Sequence, residues 1–441
     1  MNAGFENKPD SKNETKNEEA FRRAFEVAQE LDFKLFISLD YSARKWPKKE
    51  VISLLKNYST HEAYFRHSNG QALVSTFEGF ESKNDWDDIK EEVQKDQNIG
   101  SDKCCFFIPD WTSAGPAKAA EPDAVDGLMS WDAWPYGAQD MNTTKDEIYM
   151  DILNNSPGER EKDRPFIMPV SPWFYTNLRQ FHKNWVWRGD DLWYTRWQQV
   201  LQLQPEYIEI LTWNDYGESH YIGPVRGHAT GVVEEGAPFD YVRGMEHDGW
   251  RALLPYLIGE YKRGNEAGTG VGEVEEVLTV WYRLSPAEAC GDGKTTGNSK
   301  SSHQELMEPG EVLQDKIFFS AFLEETADVS VAVGGQNQTG EWSDVPDGEG
   351  RGRGVYHGSV PFDSRTGEVV VTLSRDGAFL AQMRGESIQN SCPGNLTNWN
   401  AWVGNATAVK TSTPERTEQS GAAKTSGLGM LWACFWALAS L

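Results

Sequence analysis

The run LTWNDYGESHYIGP (211–224) sets Asp215 and Glu218 three residues apart, with Trp213 and Tyr216 beside them. An apolar strand-like run, YIEIL (207–211), stops abruptly at this knot of aromatics and carboxylates. Hydrolysis of a glycosidic bond uses two carboxyl groups: one protonates the departing oxygen while the other activates water or attacks the sugar. An isolated acid pair of this kind more often caps a helix or solvates a loop. Here the pattern recurs up the chain, where Asp40, Glu78, Asp110 and Asp132 each close an apolar run and Trp173 lies at the end of another. That recurrence favours chemistry at a shared mouth.

The elements that must position these groups are FKLFISLDY (33–41), ALVSTFEG (72–79), CCFFIPDW (104–111), GLMSWDAW (127–134), FIMPVSPWFY (166–175) and YIEILTWND (207–215). Between them lie helical patterns. Phe21, Phe25, Ala28 and Leu31 share a face within 18–31. Leu192, Trp193, Trp197, Val200 and Leu201 follow Asp190 as a candidate cap. Trp250, Leu253, Leu254, Leu257 and Ile258 mark a last helix over 247–261. Continuous apolar strands alternating with helices predict a parallel sheet covered on both faces. A doubly wound sheet gathers its site at one crevice, whereas acids at nearly every strand end predict a closed (β/α)8 barrel with its chemistry at the C-terminal rim. Six full strands are visible where eight are needed, and MNAGF (1–5) reads as a remnant of another.

Past Gly264 the texture changes. EVLTVWYRL, DKIFFSAFL, ADVSVAVGG and EVVVTLSRDGAFLAQM alternate in period two, with turn residues between them and a hairpin signal at Asp376-Gly377. The organisation expected is a catalytic barrel over 1–265, an antiparallel β-sandwich over 266–403, a polar Ser/Thr-rich linker over 404–427 and an apolar tail over 428–441. The tail reads either as a lipid-anchor (GPI) signal, with small residues at Ser420, Gly421 and Ala422, or as a terminal helix. The N-terminus lacks the apolar core of a signal peptide. Because a lipid anchor without one makes no topological sense, the expectation is that the true N-terminus is missing from the chain as written.

A net charge of −25 argues against nucleic-acid or anionic-membrane partners. A neutral polysaccharide is compatible with it, and 18 Trp, 15 Tyr and 20 Phe tilt the same way, since sugar rings stack on aromatic faces. The five cysteines have no zinc-ligand spacing. Cys290 and Cys392, in the same later region, are the expected disulfide, and Cys104 and Cys105 are read as buried thiols. The eight histidines show no ligand spacing, so no metal is expected. Seven N-x-[ST] sequons, at Asn13, Asn57, Asn142, Asn154, Asn337, Asn395 and Asn405, point to a secretory route.

The runs KLFISLDYSA, VSTFEG, CCFFIPDW, DGLMSWDAWP, PVSPWFYTNL, KNWVWRGDDLWYTRWQQVL and TWNDYGESHYIGP together resemble glycoside hydrolase family 71, the fungal α-1,3-glucanases or mutanases. The resemblance spans about 30–265 and continues more weakly into VWYRLSP. It implies a (β/α)8 barrel followed by a β-sandwich, and endo-hydrolysis of α-1,3-glucan with inversion, without metal or organic cofactor. Carried over by motif, Asp215 and Glu218 fall on the catalytic carboxylates and Asp40 on a third essential acid. Glu218 is taken first as general acid and Asp215 as base, the reverse staying open. The departure is at the front: family members begin with a further strand and helix, so an open barrel edge is expected here.

Asp132, Glu78 and Asp110 are candidates for substrate contact or for support of the acids. Trp173, Tyr175, Trp213 and Tyr216 are candidates for sugar stacking, or for rim packing. Trp185, Trp187 and Arg188 are placed on a loop. The leading expectation is a monomeric, secreted or wall-attached α-1,3-glucanase. A non-catalytic glucan-binding wall protein built on a truncated barrel, and a hydrolase of another linkage, are the alternatives.

Overall fold

Seven short apolar runs do become parallel strands, each feeding a helix that covers the sheet. In this computed structural model, which describes residues 1–7, 15–96, 99, 104–155, 164–227, 230–264, 274–300, 302–346 and 352–409, the first half contains nine strands. They are β1 (Asn2–Gly4), β2 (Ile37–Asp40), β3 (Ala72–Phe77), β4 (Cys104–Phe107), β5 (Leu128–Met129), β6 (Phe166–Val170), β7 (Tyr175–Leu178), β8 (Lys183–Val186) and β9 (Tyr207–Ile210). Eight helices accompany them: α1 (Lys16–Glu30), α2 (Lys48–Tyr58), α3 (Asp85–Gln94), α4 (Pro116–Ala119), α5 (Thr144–Asn154), α6 (Leu192–Leu203), α7 (Gly231–Gly236) and α8 (Leu254–Arg263). β1-β2-β3-β4 and β5-β6-β9 are both parallel, and Asp110 joins the two sets by bridging Phe77 on one side and Met129 on the other.

The array therefore holds seven strands, and among the described residues no pairing joins β9 back to β1. The closed eight-stranded barrel is not seen. β6 is buried along its length, but all four residues of β9 are only half-buried, as befits a strand paired on one edge. Local signals explain the helices. Thr15 and Glu18 form a reciprocal capping box at the start of α1. Phe21, Phe25 and Ala28 are buried as expected, with Phe25 stacked on Tyr58 and Tyr64. Leu31 is instead exposed at the C-cap. Asp191, not Asp190, precedes α6; Asp190 is buried against the Arg188 guanidinium at 3.1 Å.

The second half is antiparallel. Its strands are β10 (Val277–Tyr282), β11 (Thr296–Gly297), β12 (Lys316–Leu323), β13 (Asp328–Val333), β14 (Gln336–Gly340), β15 (Trp342–Asp344), β16 (Gly354–Pro361), β17 (Gly367–Arg375), β18 (Ala378–Ile388) and β19 (Trp402–Thr407). One sheet runs β15-β16-β12-β10-β19 and the other β14-β13-β17-β18. The two sheets bury different amounts. In the outer sheet β13 and β17 alternate, buried toward the partner sheet and exposed on the other side. In the inner sheet every residue of β10 and nearly every residue of β12 is buried. Leu278, Val280 and Tyr282 face the sandwich core, while Val277, Trp281, Phe318, Phe322 and Val403 join the core of the first half with Trp193, Trp250 and Trp399. The backbones approach closely at Gly249, where a Cβ would meet the Gly404 carbonyl carbon at 2.8 Å.

β19 continues to Thr407, past the Val403 boundary expected from sequence. The rest of the linker and the apolar tail, with Cys434, lie outside the described residues. Cys290 and Cys392 form a disulfide with Cα atoms 6.3 Å apart. Cys104 and Cys105, expected as free thiols, are also joined by a disulfide, inside β4.

Outside the strands, Arg196 on α6 makes a bidentate pair with Asp146 on α5 (2.6 and 2.7 Å) and donates to the Pro169 carbonyl on β6 (2.8 Å), all of it buried. Removing one partner of a buried pair strands the other charge. Asp146→Ala should therefore lower stability by about 3–5 kcal/mol, read from denaturant midpoints. Burial pushes Asp190 up to about 7, above its unfolded value. That group is compatible with folding below its unfolded pKa and opposes folding as pH rises through about 7. Asp190→Asn should flatten the loss of stability between pH 4 and 8, measured as Tm against pH.

Candidate active site

β9 ends at Ile210, and the loop after it is held by its own hydrogen bonds. Thr212 N donates to His220 O, Ile222 N to Thr212 O and Gly223 N to Trp213 O, each at 2.8 Å. Inside this frame Asp215 N donates to Thr212 Oγ1 (3.0 Å), and Glu218 N donates to Asp215 Oδ1 (2.9 Å). One carboxylate oxygen of Asp215 thus does cap the loop, as an acid three residues ahead often does. Its other oxygen lies 3.8 Å from His220 Nε2, and Glu218 Oε2 lies 3.2 Å from the same nitrogen. Tyr175 N and the Tyr241 hydroxyl bind the carbonyls of Glu218 and Gly217 (3.1 and 2.7 Å), which fixes the loop on the sheet.

The two acids are electrostatically unlike. Burial pushes Glu218 up, but the His220 hydrogen bond and an ion pair with Lys183 outweigh it and hold the carboxylate at about 2. Asp215 has weaker partners, the Glu218 N–H at 2.9 Å and His220 Nε2 at 3.8 Å. Desolvation among its neighbours raises its pKa above the ordinary range although the side chain keeps 39% exposure; the nearby His220 opposes the shift and the negative charge of Glu218 adds to it. The arrangement is therefore one ionised carboxylate beside one that tends to keep a proton, as acid–base catalysis by a carboxyl pair requires.

Aromatic rings surround the histidine beside the pair. Around His220 lie Trp134 (5.2 Å between ring centres), Phe174 (5.7 Å) and Trp131 (6.3 Å), with Trp187 stacked on Trp134 at 5.4 Å. Phe77 contacts Trp131 at 4.8 Å, linking the end of β3 to this cluster. Strand register puts Asp40, Phe77, Asp110 and Met129 in one row along the rim. Asp40 accepts from Ser42 N and Oγ (2.7 and 2.6 Å). Glu78 accepts from Ser113, and Asp132 pairs with Lys145 (2.8 Å) and Tyr136 (3.2 Å). Asp110 is fully buried, and burial raises its carboxyl well above the usual range. It is a bridging residue under the rim and offers no surface to a ligand.

Three candidates for sugar stacking are corrected. Trp173 is buried and donates through Nε1 to Trp399 O (3.0 Å), tying the two halves together. Tyr175 is buried beside Asn177 and Tyr241, and Tyr216 is buried with its hydroxyl on Pro224 O (2.8 Å). None has a free ring face. Trp213 is instead 45% exposed, with Gly223 packed against its ring and the Arg251 guanidinium over it at 5.3 Å. The supposed loop NWVWRGDD begins as β8, paired with β7, and buries Trp185 and Arg188.

Sequence reasoning missed His220, Thr212 and Lys183. His220 carried a weak signal, being two residues from Glu218. Lys183 carried none, because only the β7–β8 hairpin brings it to Glu218. That hairpin is braced from the second half: β11 pairs with β8, Asn184 Nδ2 donates to Gly293 O (3.0 Å), and Trp187 Nε1 donates to Gln304 Oε1 (2.8 Å). Asp215, Glu218 and His220 present one donor atom each within 4.8 Å of one another, a spacing that a cation would fit. The Lys183 ammonium pairs with Glu218 at the same place.

A family profile described as "Glycosyl hydrolase family 71" matches residues 10–416. The chain is 34% identical over 379 residues to glucan endo-1,3-alpha-glucosidase agn1 of Schizosaccharomyces pombe, covering 85% of this chain and 80% of that one. It is 31% identical over 391 residues to mutanase Pc12g07500 of Penicillium rubens, covering 86% and 77%. Among solved structures, a GH99 endo-alpha-mannosidase from Bacteroides thetaiotaomicron matches at 15% identity with a TM-score of 0.38, over 55% of this chain and 70% of that one.

Burial separates two tryptophans that look alike in sequence. Trp173→Ala should cost about 3–5 kcal/mol of stability through the cavity it leaves. Trp213→Ala should leave the melting curve unchanged and weaken retention on an insoluble polysaccharide, read by pull-down.

Proposed function

The chain belongs to glycosyl hydrolase family 71, and we propose that it is an endo-acting α-1,3-glucanase using Asp215 and Glu218. The observation that carries the reading is the pair itself: two electrostatically distinct carboxylates beside one imidazole, in an aromatic mouth at the end of a parallel strand. The names of the two relatives, a glucan endo-1,3-alpha-glucosidase and a mutanase, supply the linkage. On the electrostatics, the roles are the reverse of those taken first from sequence. Asp215, with its raised pKa, gives a proton to the glycosidic oxygen as the C1–O bond breaks. Glu218, held ionised, takes a proton from the water whose oxygen attacks C1.

The family resemblance implies inversion, which needs about 6.5–9.5 Å between the carboxyl groups to seat that water. Asp215 and Glu218 hold donor oxygens within 4.8 Å of each other. Asp215 is the more exposed of the two, 39% against 15% for Glu218, and an inverting reaction would use that freedom to open room for the water as the sugar enters. Asp40 lies on the same rim, and the resemblance gives it an essential part. Two-carboxylate hydrolysis is complete in itself and calls on neither metal nor organic cofactor.

The site sits within a fold read as a (β/α)8-type barrel of which seven strands are paired, followed by a β-sandwich, in a monomer. An extracellular or wall location fits a glucan substrate and the sequons, since the six sequon asparagines among the described residues are all exposed. No described helix is long and apolar enough to cross a membrane.

Incubation with insoluble α-1,3-glucan tests the reading. The wild-type chain should release soluble oligosaccharides. Asp215→Asn and Glu218→Gln should each lower release by about 10²–10⁴-fold while still binding the glucan. The first-formed anomer, followed by NMR, should be β from the α-linked polymer. An α product would replace inversion by retention, and binding without release by the wild type would leave a glucan-binding protein.

A further inference from the structure

Deepening the reading above, on which it rests, we propose that Thr212 and His220 form a positioning relay that holds Glu218 in the orientation and charge state of a general base. His220 is fully buried, at the back of the mouth. Its Nδ1 lies 3.1 Å from Thr212 Oγ1 and its Nε2 lies 3.2 Å from Glu218 Oε2. Those two contacts exclude one tautomer. A proton on Nδ1 alone would turn the Nε2 lone pair against an anionic oxygen, so Nε2–H donates to Glu218. In the neutral ring Nδ1 is then an acceptor with the Thr212 hydroxyl as its donor, and in the charged ring the same contact runs the other way. Thr212 can serve, because Asp215 N already donates to its oxygen and leaves the hydroxyl proton free.

The imidazole cannot turn away. Trp131, Trp134 and Phe174 pack around it, and the Thr212 N to His220 O hydrogen bond fixes its backbone. The groups that face Glu218 are then Lys183 from β8, His220 from its own loop and Asp215 beside it. Lys183 supplies charge on a side chain that keeps partial exposure, while His220 supplies direction from a buried one. The histidine touches no reacting atom. Its part is to aim one carboxylate oxygen inward, so that the other meets Lys183 at the edge of the mouth.

The test uses the full chain and soluble α-1,3-linked gluco-oligosaccharides, with kcat, KM and the pH profile measured for each variant and folding checked by thermal melt. His220→Ala should lower kcat by on the order of 10²-fold, at the low end of what a general base contributes, with KM nearly unchanged. The acidic limb of the profile should move up toward the ordinary carboxylate range. His220→Gln, whose amide NH2 can take the place of Nε2–H, should restore kcat to within about tenfold and return the limb. If His220→Ala does not fold, Thr212→Val against Thr212→Ser decides: valine should lower kcat and shift the limb, and serine should do neither. Wild-type kcat and limb in folded His220→Ala or in Thr212→Val would overturn the relay, as would failure of glutamine to rescue. Glu218→Gln measured alongside separates the two levels. If it is inactive while the relay variants behave as wild type, only the relay falls; if it is active, the acid pair and the relay fall together.

Discussion

The sheet of β10, β12 and β16 has no face in water, and that constraint organises the molecule. One side packs on the outer sheet of the sandwich and the other on the parallel half, where Trp281, Phe318 and Phe322 enter the same core as Trp193 and Trp250. Trp173 and Trp399 are bonded across the junction, and His357 on β16 meets Asp191 at the start of α6 at 2.8 Å. Two sheets that shared only a linker could move apart without exposing apolar surface. These halves cannot, because separation would bare the inner face of a sheet at about 25 cal/mol per Å².

The same junction reaches the chemistry. From β10 the chain runs out along the mouth of the parallel half, adds β11 to β8, and returns as β12. β8 carries Lys183, so the ammonium that compensates Glu218 stands on a hairpin braced by the second half. An ionised carboxylate in an aromatic pocket is costly unless charge and hydrogen bonds offset its lost hydration. Lys183 and His220 provide that offset for Glu218. Asp215 receives less, and the difference in surroundings makes two chemically identical groups behave differently.

Much of the parallel half was readable in one dimension. Apolar runs ending in Asp40, Glu78, Asp110 and Asp132 announced strands that deliver acids to one rim, because the βα repeat points every strand the same way. The switch to period two announced the antiparallel half. The failures have physical causes. Trp173, Tyr175 and Tyr216 read as sugar platforms because a ring's sequence neighbours do not reveal which face another element covers. β8 read as a loop because its pairing partners, β7 and β11, gave no apolar alternation. Cys104 and Cys105 read as buried thiols, since adjacent cysteines in an apolar run look like core.

The amino-acid sequence by itself determined the class of each half, the order of the βα units and the placing of Asp215 and Glu218 together after the last parallel strand. Those follow from periodicity and from short spacing, which are local properties. Tertiary structure alone decided which aromatics face the cleft, how many strands pair, and which acid is held charged. Lys183 stands 35 residues from Glu218 and joins it only through a hairpin, and exposure depends on what the rest of the chain lays over a side chain. The electrostatic difference between Asp215 and Glu218 lives in that arrangement, because a pKa records surroundings and a residue's identity sets only its starting point.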